Sequence, residues 1–126
     1  KMVKSIVSVI ITLILIFVGG AVESHYVNKS FKELNRLAVI NQIKADEQTI
    51  SCEDTTLLQK TWIKKKKTLH AVIPHNEIKE IELWISEAVK CVKEGKFSDA
   101  SIKLEVVAEL CEQVPKNFKF SFENIL

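Results

Sequence analysis

Apolar and polar positions divide this chain near Val22. From Ser5 to Val22 there are 18 consecutive uncharged residues, twelve of them Ile, Val, Leu or Phe. Wound as a helix, the run is about 27 Å long, enough to cover a hydrocarbon core. Its twelve large apolar residues favour the bilayer by roughly 4 to 7 kcal/mol, well above the small penalties of Ser, Thr and Gly. The pattern predicts a transmembrane helix over 5–22. Lys1 and Lys4 precede the run and Glu23 follows it, so the positive-inside rule leaves residues 1–4 in the cytoplasm and everything from residue 23 outside. A cleaved signal peptide is the alternative, because Ile6 to Val18 is of signal length and Gly19, Gly20 and Ala21 supply small residues at a cleavage point. The mature protein would then be secreted. Both readings export the domain that follows.

Beyond residue 23 the apolar spacing changes to that of amphipathic helices. A first helix, roughly 24–47, carries Val27, Phe31, Leu34, Leu37, Ala38 and Ile43 at a period near 3.6 and continues from the span. The polar stretch Asp46 to Asp54 interrupts it. Leu57, Leu58, Thr61, Trp62, Lys65, Leu69, Val72 and Ile73 then resume the pattern up to Pro74, which pushes the residue before it out of helical geometry. A third helix opens at His75 or Asn76, buries Ile78, Ile81, Ile85, Ala88 or Val89, and Val92, and stops at Gly95. The fourth repeats Phe97, Ala100, Leu104, Val107, Cys111 and Val114 up to Pro115, and a second stripe at Ile102, Val106 and Leu110 widens its apolar face. Short turns between helices of this length make neighbours antiparallel. The fold class is therefore all-α: a transmembrane helix, then a four-helix domain over 23–114 made of two α-hairpins, arranged as a bundle or stacked like tetratricopeptide units. Residues 115–126 form an aromatic tail.

Composition narrows the class further. After residue 22 there is one Gly and there are two Pro, too little turn punctuation for a hairpin-rich sheet. The same segment has 16 basic and 16 acidic side chains, so the net charge of +2 comes from Lys1 and Lys4, and a nucleic-acid binder is disfavoured. Charge is nonetheless uneven. Residues 23–76 hold nine basic and six acidic groups, and residues 77–126 hold seven and ten, which predicts a domain basic near its anchor and acidic beyond it.

Several short motifs resemble one family. An N-terminal span, the run Trp62-Ile-Lys-Lys-Lys-Lys67, then Ile73, His75, Glu77, Ile78, Ile81 and Glu82, then Val114-Pro115, and the terminal Ser121-Phe-Glu-Asn-Ile-Leu126 are similar in order and length to the domain of unknown function 4363 family of small Firmicute proteins. The resemblance implies export, a helical fold and a polytopic membrane protein as a partner; it implies no activity. Family members often have Asp before the His, where this chain has Pro74, so the helix-capping role falls to Asn76 or to the backbone.

Candidate chemistry is sparse. His75 with Glu77 and Glu82 invites a metal site, but residues two apart on a helix point to different sides, and a third ligand would have to be His25 or His70. The plainer reading is a helix entry, with Glu77 in the first turn and Ile73 over Ile78. Cys52, Cys91 and Cys111 lack the context of a nucleophile, and a Cys91–Cys111 bridge is excluded by reach along the helix. Three thiols are expected, with Cys52 open to an intermolecular disulfide. Lys64, Lys66 and Lys67, with His75 and Glu82, form a candidate interaction or ligand patch for an anionic lipid or wall polymer; the stem of Lys65 packs while its ammonium reaches water. Trp62 and Trp84 read as core. Phe118, Phe120 and Phe122 either fold over the end of the bundle or form an exposed docking segment.

These readings converge on a single-pass membrane protein whose extracytoplasmic helical domain works by protein contact, as an accessory or scaffold subunit of a membrane or envelope partner. The alternative is an exported ligand-binding or sensory module. No catalytic set, metal set or cofactor motif stands out, so an enzyme is not expected.

Overall fold

The computed structural model describes the backbone of residues 2–125 and the side chains of residues 3–22 and 24–118. Four helices follow one another: α1 (Met2–Asp46), α2 (Cys52–Leu69), α3 (His75–Lys93) and α4 (Phe97–Ile125). The first half of α1 stands alone, with Val3, Ile10, Leu13, Leu15 and Phe17 each at least half exposed. The second half enters a four-helix bundle without a break.

The bundle geometry follows from a heptad spacing of three and four on every helix, with Ser30, Val89 and Ala108 buried beside that seam. Buried positions on α1 are Val27, Phe31, Leu34, Ala38, Asn41 and Ala45. On α2 they are Thr55, Leu58, Trp62 and Leu69, with the stem of Lys65 filling the step between the last two. On α3 they are Ile78, Ile81, Ile85, Ala88 and Val92; on α4, Ala100, Leu104, Val107, Cys111 and Val114. A period of 3.5 keeps one seam facing inward along slightly supercoiled helices. Each helix packs against its two neighbours in the cycle α1–α2–α3–α4–α1, and among the described residues the backbones of diagonal partners stay apart. This is a bundle, not a stack of two hairpins.

The turns are built from local chemistry. Ser51 caps α2 reciprocally: its hydroxyl accepts from the Asp54 N–H, and the Asp54 carboxylate accepts from the Ser51 N–H at 2.9 Å. Pro74 occupies the cap position of α3, with no side-chain cap; its carbonyl accepts from the N–H groups of Glu77 and Ile78. Gly95 ends α3 at φ 72°, and Gln48 takes the same left-handed conformation after α1 at φ 59°.

Four expectations are corrected. Ile43 is 51 % exposed, and Asn41 and Ala45 hold the core positions of that turn, because the heptad places the seam two residues to either side. Leu57 and Ile102 are likewise on the outside. Helix α2 stops at Leu69, and residues 70–74 form the turn. Pro115 does not end α4, which continues to Ile125. The apolar spacing carries on past the proline from Val114 to Phe118, which packs against the core, and that packing offsets the lost hydrogen bond.

Candidate functional site

The candidate patch on α2 divides across two faces of the helix. Lys66 turns toward α3, where its ammonium donates to both Glu82 carboxylate oxygens at 2.8 and 3.0 Å. Lys66 and Glu82 are therefore committed to the seam between α2 and α3. Lys65 occupies the heptad seam toward α1 and pairs with Glu33 at 2.8 Å, its side chain only 17 % exposed, as the snorkelling geometry requires. The Lys65 ammonium holds the Glu33 carboxyl below its ordinary range. Lys64 and Lys67 lie exposed on the outer face of α2.

His75 is exposed at the start of α3 and meets the His70 ring edge-to-face, with centroids 5.6 Å apart. His25 lies three residues beyond Val22 on α1, so the topology collects all three histidines at the end of the bundle nearest the apolar half of α1. Glu77 is half-buried in the first turn of α3, where the helix dipole favours a carboxylate. Among the described residues, no group of three or more His, Cys, Asp or Glu converges as metal ligands would.

The thiols are free and differ in exposure: Cys52 is exposed, Cys91 half-buried and Cys111 buried. Burial pushes the Cys111 thiol up to about 12, so it stays protonated and inert at neutral pH. Trp62 is buried as expected, but its indole N–H finds no acceptor among the described residues. Trp84 is half-buried, and the Lys103 ammonium lies 4.8 Å from its ring centroid while pairing with Glu87 at 3.4 Å. That cation–π contact and ion pair tie α3 to α4. Phe118 folds onto the core, whereas the side chains of Phe120 and Phe122 lie outside the described residues.

The sequence reading missed the polar ties between helices. Asn35 donates to the Ala108 carbonyl at 2.7 Å, joining α1 to α4. Asn41 donates to the Asp54 carbonyl at 3.2 Å, and Lys44 to the Asp54 carboxylate at 2.9 Å, joining α1 to α2. The Lys44 ammonium and the Ser51 backbone hold the Asp54 carboxyl below its ordinary range. Thr68, at the end of α2, lowers the pKa of the Tyr26 phenol. The sequence signal for Asn41 was a polar residue at a heptad core position; Asn35 carried none.

A cleft of about 330 Å³ opens between α1 and α4, with Phe31, Cys111 and Pro115 at its apolar side and Asn28, Lys32 and Lys116 at its edge. Neither His75 nor Glu82 lines it. Pro115 has no N–H to offer the Cys111 carbonyl, and this interruption of the helical ladder coincides with the opening.

The charge imbalance between the two hairpins becomes lateral in the bundle. Helices α1 and α2 stand side by side, so the basic half of the sequence is one flank of the domain and the acidic half the other. Within that basic flank, Asp46, Glu47, Glu53 and Asp54 gather at the turn away from the apolar half of α1, while Lys29, Lys32 and Lys64 to Lys67 lie nearer to it.

No curated protein and no solved structure matches the chain. A family model does match, over residues 21–125 and thus the whole bundle. The chain belongs to the family described as domain of unknown function (DUF4363).

Proposed function

We propose that this protein is a single-pass membrane protein whose four-helix domain stands on the extracytoplasmic side and works by protein contact, as an accessory or scaffold subunit of a membrane or envelope partner. The observation that carries this reading is the continuity of α1. One helix presents an exposed window of mean hydropathy 2.7, only 6 % buried, and then supplies a quarter of the bundle core. An anchor fused in register to a packed helix holds the bundle at a fixed height and tilt above the bilayer. Such rigidity suits a subunit that must meet a neighbour, including a polytopic membrane protein, at a defined place.

A role by contact also suits the interior, which is filled mainly by apolar side chains. The carboxylates with lowered affinity for protons, Glu33 and Asp54, are accounted for by an ion pair and a helix cap. The reading is of a binding protein, not a catalyst. The positive-inside balance of Lys1 and Lys4 against Glu23 supports the sidedness, and exposed Lys64 and Lys67 suit an anionic lipid or wall polymer beside the protein partner. The second reading, an exported ligand-binding or sensory module, draws its support from the cleft between α1 and α4.

Protease added to intact cells tests the placement: the bundle should be cut from outside while the span is retained in the membrane. Protection until permeabilisation would refute the extracytoplasmic reading. Purification from native membrane then separates the two roles. A stoichiometric protein partner supports the scaffold, and a retained small molecule without one supports the module.

A further inference from the structure

Helix α4 outlasts its neighbour α3 at the end of the bundle that meets the apolar half of α1. Pairings across the seams set the levels. Glu33 with Lys65 and Asn41 with Asp54 place the end of α2, Leu69, near the level of Val27. Lys103, which pairs with Glu87 and lies over Trp84, places the start of α3, His75, near the level of Val114. Residues 70–74 turn between α2 and α3 at that height. Helix α4 runs on to Ile125, about 16 Å further.

Beside that extension stands α1. The bonds from Asn35 to Ala108 and from Asp46 to Ser101 fix the register of the pair, and the cleft residues Phe31 and Pro115, Asn28 and Lys116 follow the same offset. Continued along the two helices, that offset puts Phe118 level with Val27, Phe122 with Glu23 and Ile125 with Gly20. Gly20 is the one buried residue from Val3 to Val22, and Gly19 and Ala21 on either side of it are exposed. It lies on the seam line that Val27 and Leu34 continue, where the absence of a side chain lets a neighbouring helix approach. Among the described helices only α4 reaches that height.

The extension reads Phe118-Lys-Phe-Ser-Phe-Glu-Asn-Ile125. Phe118 packs against the core. Phe120 falls on the line of Val106 and Gln113, the side of α4 that α3 flanks further up, and it lies past the start of α3. Measured from Val22, the end of the apolar run, the levels of residues 118–125 extend from about 8 Å outside to about 3 Å inside. That depth is the boundary of headgroups and acyl chains, where helices rich in aromatic and basic residues lodge. Lys116 and Lys119 fall at headgroup height.

We propose that residues 118–125 of α4 are a second membrane contact, seated beside α1 in the interface of the leaflet from which the bundle rises. The inference rests on the anchored reading of α1, but not on which side the bundle faces. One span alone leaves tilt and rotation open. A second contact about 10 Å to one side, the spacing of packed helices, fixes both.

Nitroxide labels on single cysteines of the full-length chain, in bilayers of phosphatidylethanolamine and phosphatidylglycerol, test this through collisions with oxygen, which enters lipid, and with a nickel chelate, which stays in water. The background carries Cys52→Ser and Cys91→Ser, since Cys111 is buried and unreactive. Phe17→Cys reports on the anchor alone. Gln113→Cys samples the same side of α4 as Phe120, about 10 Å further from the membrane. Labels at Phe120→Cys and Asn124→Cys should collide severalfold less with nickel than the label at 113, and at least as often with oxygen. Unaltered helicity confirms that the variants fold. Nickel collisions at 120 or 124 as frequent as at 113, with residue 17 in lipid, overturn the proposal and leave the anchor standing. Shielding of both sites from both reagents also overturns it, because protein then covers the tail. Residue 17 in water overturns the anchored reading and this inference together.

Discussion

The two hairpins of the bundle fill their heptad positions by different means. The second, α3 with α4, uses only Ile, Val, Leu, Ala and Cys between Ile78 and Val114. The first, α1 with α2, places Asn41, Thr55 and Lys65 among its core positions. Asn41 and Lys65 both spend their polar groups across the α1–α2 seam, on the Asp54 carbonyl and the Glu33 carboxylate. Polar groups at core positions cost stability but accept only one register, because a slip leaves them without partners. The α1–α2 seam is also the thinnest of the four, while the α1–α4 seam is the most extensive. A weak seam with polar pins beside a strong apolar one separates two tasks: the apolar hairpin supplies adhesion, and the pinned hairpin aligns the helix that carries the apolar N-terminal half.

Substitutions can break that contrast. Leu104→Ala, in the apolar hairpin, should cost about 2–5 kcal/mol as a cavity opens, read by denaturant unfolding of the full chain in micelles. A loss under 1 kcal/mol would show that the apolar seam is not the main source of adhesion. Pro115→Ala should stabilise α4 by about 1–3 kcal/mol by restoring a helical hydrogen bond, with slower amide exchange around Cys111 as the independent sign. Lys65→Met should fall within about 1 kcal/mol of wild type, or above it, because the Glu33 carboxylate is 45 % exposed and is rehydrated when its partner is lost, while the seam gains an apolar side chain. A large loss there would mean that the polar pins contribute adhesion after all.

Acid should weaken the first hairpin before the second. Glu33 and Asp54 are both held below their ordinary carboxylate ranges when folded. Their contribution is therefore complete above the unfolded values near pH 4 and is lost as pH falls through the lower folded ones. Both pairs are partly exposed and screened by solvent, so the effect is about 1 kcal/mol or less each. Exchange protection in α2 compared with α3 between pH 5 and about 3 reports it. The smallest change is at the turns: Gln48→Gly should add about 0.5–1 kcal/mol, because Gln48 sits at φ 59° where Gly95 ends the other hairpin without strain. No gain in midpoint would deny that the first turn is strained.

Much of this was legible in the chain. The apolar N-terminal helix, the all-helical class and the core of α3 follow from hydrophobic spacing, because an amphipathic helix with a clean 3.5 period has one way to face inward. Legibility failed at Ile43, Leu57 and Ile102, large apolar side chains that periodicity assigns to a core and that the bundle leaves outside. A broad apolar arc on one helix cannot specify how much of it neighbours will cover. It failed again at Pro115, where the local rule for a helix end was overridden by packing beyond it. At the candidate patch the grouping failed, since Lys64 is exposed on the outer face of α2 while Lys66 turns to Glu82 of α3.

The amino-acid sequence by itself determined the apolar run before Val22, the heptads and the charge imbalance between the hairpins, because each is a property of neighbours along the chain. The tertiary structure alone decided that α1 closes on α4 and that the imbalance lies across the bundle. Those are relations between residues some seventy positions apart, such as Asn35 and Ala108. Only packing, which selects one register among several that periodicity allows equally, can set them.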